Sequence, residues 1–153
     1  MKQSAGLLLF KRSKEGPLFF LVHPGGPFFS KKNFGWWTVP KGEVNVGEAP
    51  LDTAKREFKE ETGDIPKGDF IKLAPIIQKG GKRVYCWAFE GAIDIGKAVS
   101  NTFDLEWPPK SGSVQTFPEV DRFGWFGFEE AMLMINERQQ AFLIELKAFL
   151  NNQ

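Results

Sequence analysis

A chain of 153 residues, 42% hydrophobic and 25% charged, has the make-up of one ordinary globular domain, which excludes disordered and fibrous classes. Twenty Lys plus Arg against nineteen Asp plus Glu leave a formal charge of +1, so the net balance argues against capture of nucleic acid or an anionic membrane. Apolar runs such as Leu18 to Val22 fall far short of the roughly 20 residues that span a bilayer, and no signal peptide is expected. The single cysteine, Cys86, cannot form an internal disulfide and, between Tyr85 and Trp87, reads as a core residue. The expectation is a single domain over 1–153, cytoplasmic, monomer or homodimer, with no membrane contact.

In chain order, Ser4 to Phe10 and Pro17 to His23 are β-prone runs joined by a polar, Gly-ended connection, which predicts a strand pair. Pro24-Gly25-Gly26-Pro27 ends the second run, and Gly35 to Val39 reads as another short strand. Pro50 to Thr62 predicts a helix with Pro in its first turn and Gly63 at its C-terminal cap. Asp69 to Gln78 and Lys82 to Ala92 read as strands around a Lys79-Gly80-Gly81 hairpin turn. Ile93 to Ser113, with Pro108-Pro109 and Ser111-Gly112-Ser113, reads as a long loop. Val120 to Phe126 predicts a last strand, and Phe128 to Met134 and Glu137 to Leu150 two terminal helices. Strands before and after one central helix, with helices at the end, give an α/β fold with a mixed sheet between helices.

The acids are unevenly placed. Five of them (Glu48, Asp52, Glu57, Glu60, Glu61) meet three bases between positions 48 and 61. At about 100° per residue Glu57, Glu60 and Glu61 share one helix surface, while Leu51, Ala54 and Phe58 occupy an adjoining arc that faces a core. Three carboxylates at such spacing repel unless something positive lies between them. A hard divalent cation such as Mg²⁺ or Mn²⁺ meets that need. The alternative reading is a solvated face paired with Lys55, Arg56 and Lys59.

The flanking residues favour the metal. Gly42, Glu48, Arg56, Glu57, Glu60, Glu61 and Gly63 fall at the spacing of the Nudix box, and Trp37-Thr38-Val39-Pro40-Lys41-Gly42 is similar to the Trp-x-x-Pro-Lys-Gly lead-in of several members. Phe58 stands where an aliphatic residue is usual, and Asp64 takes the last apolar position, with Ile65 one step later. The chain therefore resembles a Nudix hydrolase. The resemblance implies an α/β/α sandwich with a mixed central sheet and metal-dependent cleavage of a phosphoanhydride in a nucleoside diphosphate-linked small molecule. The lead-in leans toward dinucleoside polyphosphates, with nucleoside triphosphates, nucleotide sugars, ADP-ribose and RNA 5′ ends also open.

By the same resemblance Glu57, Glu60 and Glu61 are metal ligands, with a backbone carbonyl near Lys41 or Gly42. Arg56 orients the catalytic glutamate, and Glu48 has a structural role at the helix start. The general base is either Glu57 or Glu119, which stands in Phe117-Pro118-Glu119-Val120-Asp121 before the last strand; Asp121 is a weaker candidate. Lys41 is placed to reach a phosphate, with Lys31 and Lys32 as secondary candidates. Trp37 is the substrate-side aromatic, among Trp36, Tyr85, Trp87 and Phe123 as other stacking candidates, and His23 reads as structural. The competing class is a regulatory Nudix module that binds a nucleotide without hydrolysing it.

Overall fold

In the computed structural model, which describes residues 2–153, one mixed sheet lies between helices. Its strands are β1 (Gln3–Ser13), β2 (Gly16–Pro24), β3 (Lys41–Glu43), β4 (Ile71–Lys72), β5 (Ile76–Ile77), β6 (Arg83–Glu90) and, after a separate two-stranded hairpin of β7 (Thr102–Glu106) and β8 (Val114–Pro118), β9 (Val120–Phe126). The order is β4-β6-β1-β2-β9, with β3 beside β1 and β5 beside β6. The β1–β6 pair is parallel and the others are antiparallel. The helices are α1 (Pro50–Thr62), α2 (Phe128–Met134) and α3 (Gln140–Asn151), the last preceded by a 3₁₀ turn at Glu137–Gln139.

Strand β1 is buried on both faces, so its sequence runs apolar without alternating with polar residues. Leu8 and Phe10 join Phe19, Leu21, Phe142, Leu143 and Leu146 on the face covered by α2 and α3. Leu7 and Leu9 join Phe20, Val22, Ala54, Phe58 and Phe89 under α1. The box position usually aliphatic carries Phe58 here because the space beneath α1 is aromatic. Its ring meets Phe20 at 6.2 Å and Phe89 at 5.3 Å. Phe58 is 1% exposed, so Phe58→Ala is expected to cost about 3–5 kcal/mol in urea unfolding. A loss below about 1 kcal/mol would show that α1 is anchored by something other than this ring.

The predicted spans of α1, α2 and β9 agree with the structure. The hairpin at Gly80-Gly81 does too, with Ile77 paired to Arg83. Gly63 ends α1 at φ +83°, its N–H donating to the Lys59 carbonyl at 2.8 Å. Three expectations are corrected. Gly35 to Val39 is a turn with isolated bridges at Trp37 and Thr38, and the extra strand is β3, inside the box. Asp69 to Gln78 holds two two-residue strands, separated by a stretch containing Pro75, which has no N–H for a ladder. The expected loop at Ile93 to Ser113 contains β7, paired with β8 from Thr102↔Pro118 to Glu106↔Val114. Among the described residues no helix is long and apolar enough to cross a membrane.

Candidate active site

The site forms where β3 and α1 meet. Ala5 on β1 pairs with Gly42, and that register turns the missing side chain of Gly42 toward α1. A β-carbon at Gly42 would collide with Oε1, Cδ and Cγ of Glu57. The spacing of this glycine and glutamate thus has a steric cause: the Glu57 side chain occupies the space a side chain at position 42 would fill. Glycine serves here through close approach rather than through an unusual φ.

Glu48 and Arg56 lock the start of this arrangement. Glu48 accepts from Arg56 Nε at 2.9 Å and Nη2 at 3.0 Å, and from the Thr53 hydroxyl at 2.6 Å. That two-pronged pairing holds the Glu48 carboxyl down at about 2, through Arg56 first and Thr53 second. The remaining nitrogen of Arg56, Nη1, donates to Glu57 at 3.3 Å and to Glu60 at 3.2 Å. Arg56 therefore ties the structural glutamate to two of the candidate ligands.

Glu57, Glu61 and Glu119 are all displaced upward from the ordinary carboxylate range. Burial comes first for Glu57, pushed up to about 7, with the charges of Glu60 and Glu119 adding to it and Arg56 opposing. Glu61, 7% exposed, is raised well above the usual value by burial, then by the charges of Glu57 and Glu119. Glu119 is raised by burial and by Glu60. The fold thus brings the box glutamates and the distant Glu119 within electrostatic influence of one another. Burial lowers Lys41, with Lys82 acting in the same direction and Glu61 and Glu57 against it.

The donor set fits a hard divalent cation in kind: carboxylate oxygens that repel one another, beside a glycine backbone with no side chain in the way. Among the described residues no group of three or more His, Cys, Asp and Glu side chains stands ready-formed as a metal cage; the Arg56 guanidinium bonds both Glu57 and Glu60.

Trp37 is a correction. It is 5% exposed, with its Nε1 donating to Asn33 at 2.9 Å and its ring packed edge-on against Phe126 and His23. A ring so enclosed has no free face for a base, whereas Trp36 is 43% exposed beneath the Lys32 ammonium. His23 is fully buried, its Nδ1 at 2.6 Å from Asp121 and its Nε2 at 2.6 Å from the Lys32 carbonyl. This confirms the structural reading of His23 and commits Asp121 to the same contact. Phe123 stacks on Phe20.

Sequence reasoning missed the segment at 99–101, whose backbone reaches both Glu60 and Glu119. It also missed Gly25, where a β-carbon would strike the Pro118 carbonyl. The alternation of Phe103, Leu105 and Trp107 with polar residues was the available signal for β7.

The mixed sheet between helices, with Glu57, Glu60 and Glu61 on the helix that covers one face, is also met among known proteins. Residues 1–146 match the NUDIX domain family. The asymmetrical bis(5′-nucleosyl)-tetraphosphatase of Rattus norvegicus is 31% identical over 121 residues, 74% of this chain and 71% of that protein. A probable DHNTP pyrophosphohydrolase of Lactococcus lactis is 43% identical over 67 residues, 44% of this chain but only 34%, about a third, of that relative's length. The crystal structure of a C. elegans Ap4A hydrolase binary complex superimposes with a TM-score of 0.66 at 24% identity, covering 100% of both chains. The chain belongs to the NUDIX family, hydrolases that act on pyrophosphate bonds.

Proposed function

We propose that this protein hydrolyses a phosphoanhydride bond in a nucleoside diphosphate-linked small molecule, a dinucleoside polyphosphate or a nucleoside triphosphate, with Mg²⁺ or Mn²⁺. The observation that carries the reading is the cluster of Glu57, Glu60, Glu61 and Glu119: Glu61 is buried and the other three half-buried, Glu57 lies against Gly42, and like charge helps to raise Glu57, Glu61 and Glu119. Likeness to the tetraphosphatase over 71% of that relative supports the dinucleoside class. Glu57, Glu60, Glu61 and the backbone at Gly42 would hold the ion, which when bound polarises phosphoryl oxygens and lowers the pKa of water. Arg56 fixes the orientation of Glu57 and Glu60, a role that sets ligand geometry. Lys41, close enough to feel Glu57 and Glu61, supplies positive charge for a phosphate. Either Glu57 or Glu119 takes the proton from the attacking water; the electrostatic influence of each carboxyl on its neighbours in the cluster supports a shared site.

A panel of dinucleoside tetraphosphates, nucleoside triphosphates, nucleotide sugars and ADP-ribose, assayed with Mg²⁺ or Mn²⁺ and with products identified, tests the reading. Turnover of at least one class is expected. Tight nucleotide binding with no turnover of any would establish the regulatory module instead. Glu119→Gln is expected to lower kcat by roughly 10²–10⁴-fold with metal affinity retained if Glu119 is the base. Near-parental activity would assign the base to Glu57.

A further inference from the structure

The end of α1 and the residue pair Glu119-Val120 are joined by one short backbone segment outside both. The Val99 N–H donates to the Thr62 carbonyl at 3.0 Å, and the Asn101 N–H donates to the Glu60 carbonyl at 2.7 Å. The Asn101 carbonyl then accepts the Glu119 N–H at 2.8 Å. A single peptide unit on each side of Asn101 therefore links the helix that carries the candidate ligands to the candidate base. The Ser100 hydroxyl closes the link, donating to the Asn101 carbonyl at 2.7 Å and accepting the Val120 N–H at 3.0 Å.

The opposite flank of Glu119 is fixed as well. Its carbonyl accepts the Gly25 N–H at 2.8 Å, at a glycine with no room for a side chain against Pro118. Both backbone groups of Glu119 are thus committed, one toward β2 and one toward α1. The bonds at 99–101 have little to do with core burial, because Val99 is 70% exposed and Asn101 is on the surface. The bond from the Val120 N–H to Ser100 is part-buried, and a misplacement near 1 Å can cost about 10²-fold in rate.

We propose that Ser100 is a positioning residue for the hydrolysis: through the Asn101 carbonyl and the Val120 N–H it sets where the Glu119 carboxylate stands relative to Glu57, Glu60 and Glu61. The inference rests on the reading of Glu119 as a participant in the reaction. Ser100→Thr keeps the hydroxyl, whereas Ser100→Ala leaves the Val120 N–H without an acceptor and the Asn101 carbonyl with one donor fewer.

The test is steady-state kinetics on the fastest substrate among dinucleoside tetraphosphates and nucleoside triphosphates, with Mg²⁺, for Ser100→Ala, Ser100→Thr, Glu119→Gln and the Ser100→Ala/Glu119→Gln pair. Ser100→Ala is expected to lower kcat by about tenfold or more at a temperature where the variant is fully folded, with KM within about threefold and the melting temperature lowered by a few degrees. Ser100→Thr should recover most of the loss, and Ser100→Ala should add less than about twofold once Glu119 is Gln. A Ser100→Ala enzyme within about twofold of the parent, beside a Glu119→Gln enzyme that is severely impaired, overturns the positioning role alone. An equal loss from Ser100→Ala in both backgrounds overturns it too, since the residue then acts elsewhere. Near-parental activity of Glu119→Gln overturns the underlying reading of Glu119 and is recognised separately.

Discussion

Glu61→Gln is expected to remove roughly 10²–10³-fold or more of the turnover while leaving the metal-free protein as stable as the parent, or more stable. The two effects have one cause. Glu61 is 7% exposed, and its carboxylate carries the cost of burial plus repulsion from Glu57 and Glu119. A neutral amide of the same shape avoids both costs but cannot neutralise a divalent ion. Glu57→Gln should behave alike. For a carboxyl raised from 4.5 to about 7 in the folded protein, protonation favours the native state. Its stabilising contribution is full below the unfolded value and is lost as pH rises through about 7. The parent in chelator should therefore weaken between these limits, and Glu57→Gln should show a flatter profile and a higher melting temperature at pH 8. Mg²⁺ should raise the melting temperature of the parent at pH 8 and have much less effect on either variant. Melts in chelator at pH 5 and pH 8, beside turnover with Mg²⁺, check both halves. Variants less stable than the parent at pH 8 would show that these carboxylates serve the fold, and the catalytic reading would fall.

Gly42→Ala carries the second large effect, with the smallest chemical change. The added methyl would overlap the Glu57 carboxylate, so either Glu57 swings away or β3 leaves its register with Ala5 on β1. Overpacking of this kind costs about 1–3 kcal/mol, and moving a reacting group by about 1 Å costs roughly 10²-fold in rate. Gly47→Ala, in the turn that follows β3, is the control. Gly47 has φ +81° but nothing within 4 Å of an added β-carbon, so its cost is backbone strain of about 1–2 kcal/mol. Kinetics on the two variants separate the causes: Gly42→Ala should lose turnover far beyond its loss of stability, and Gly47→Ala should not. Equal activity losses would mean that Gly42 acts only through local folding.

The glutamate helix was legible in the sequence because both of its signals are local. Helical spacing places Glu57, Glu60 and Glu61 together whatever surrounds them, and Pro50 and Gly63 mark the ends by their own backbone limits. The same holds for β9 and α2, whose apolar patterns are short and bounded. Trp37 shows where this stops. As an aromatic in the lead-in to the box it read as a stacking candidate, but His23 and Phe126, from elsewhere in the chain, enclose its ring together with the nearby Asn33 side chain. The hairpin of β7 and β8 was hidden for a related reason: β7 alternates, but β8 is mostly exposed and its residues do not alternate apolar with polar.

The sequence alone determined the family resemblance, the cluster of charge on one helix face and the near-neutral net balance that conceals it. Only the tertiary structure decided how these charges stand to one another. Glu119 lies 58 positions beyond Glu61 in the chain, and pairing of β2 with β9, with the Val99–Asn101 bridge, brings it to the same cluster. Periodicity reports which residues share a face of one element. Burial, collision at Gly42 and the repulsion that raises these carboxyls depend on separations between elements, and those exist only after the sheet has formed.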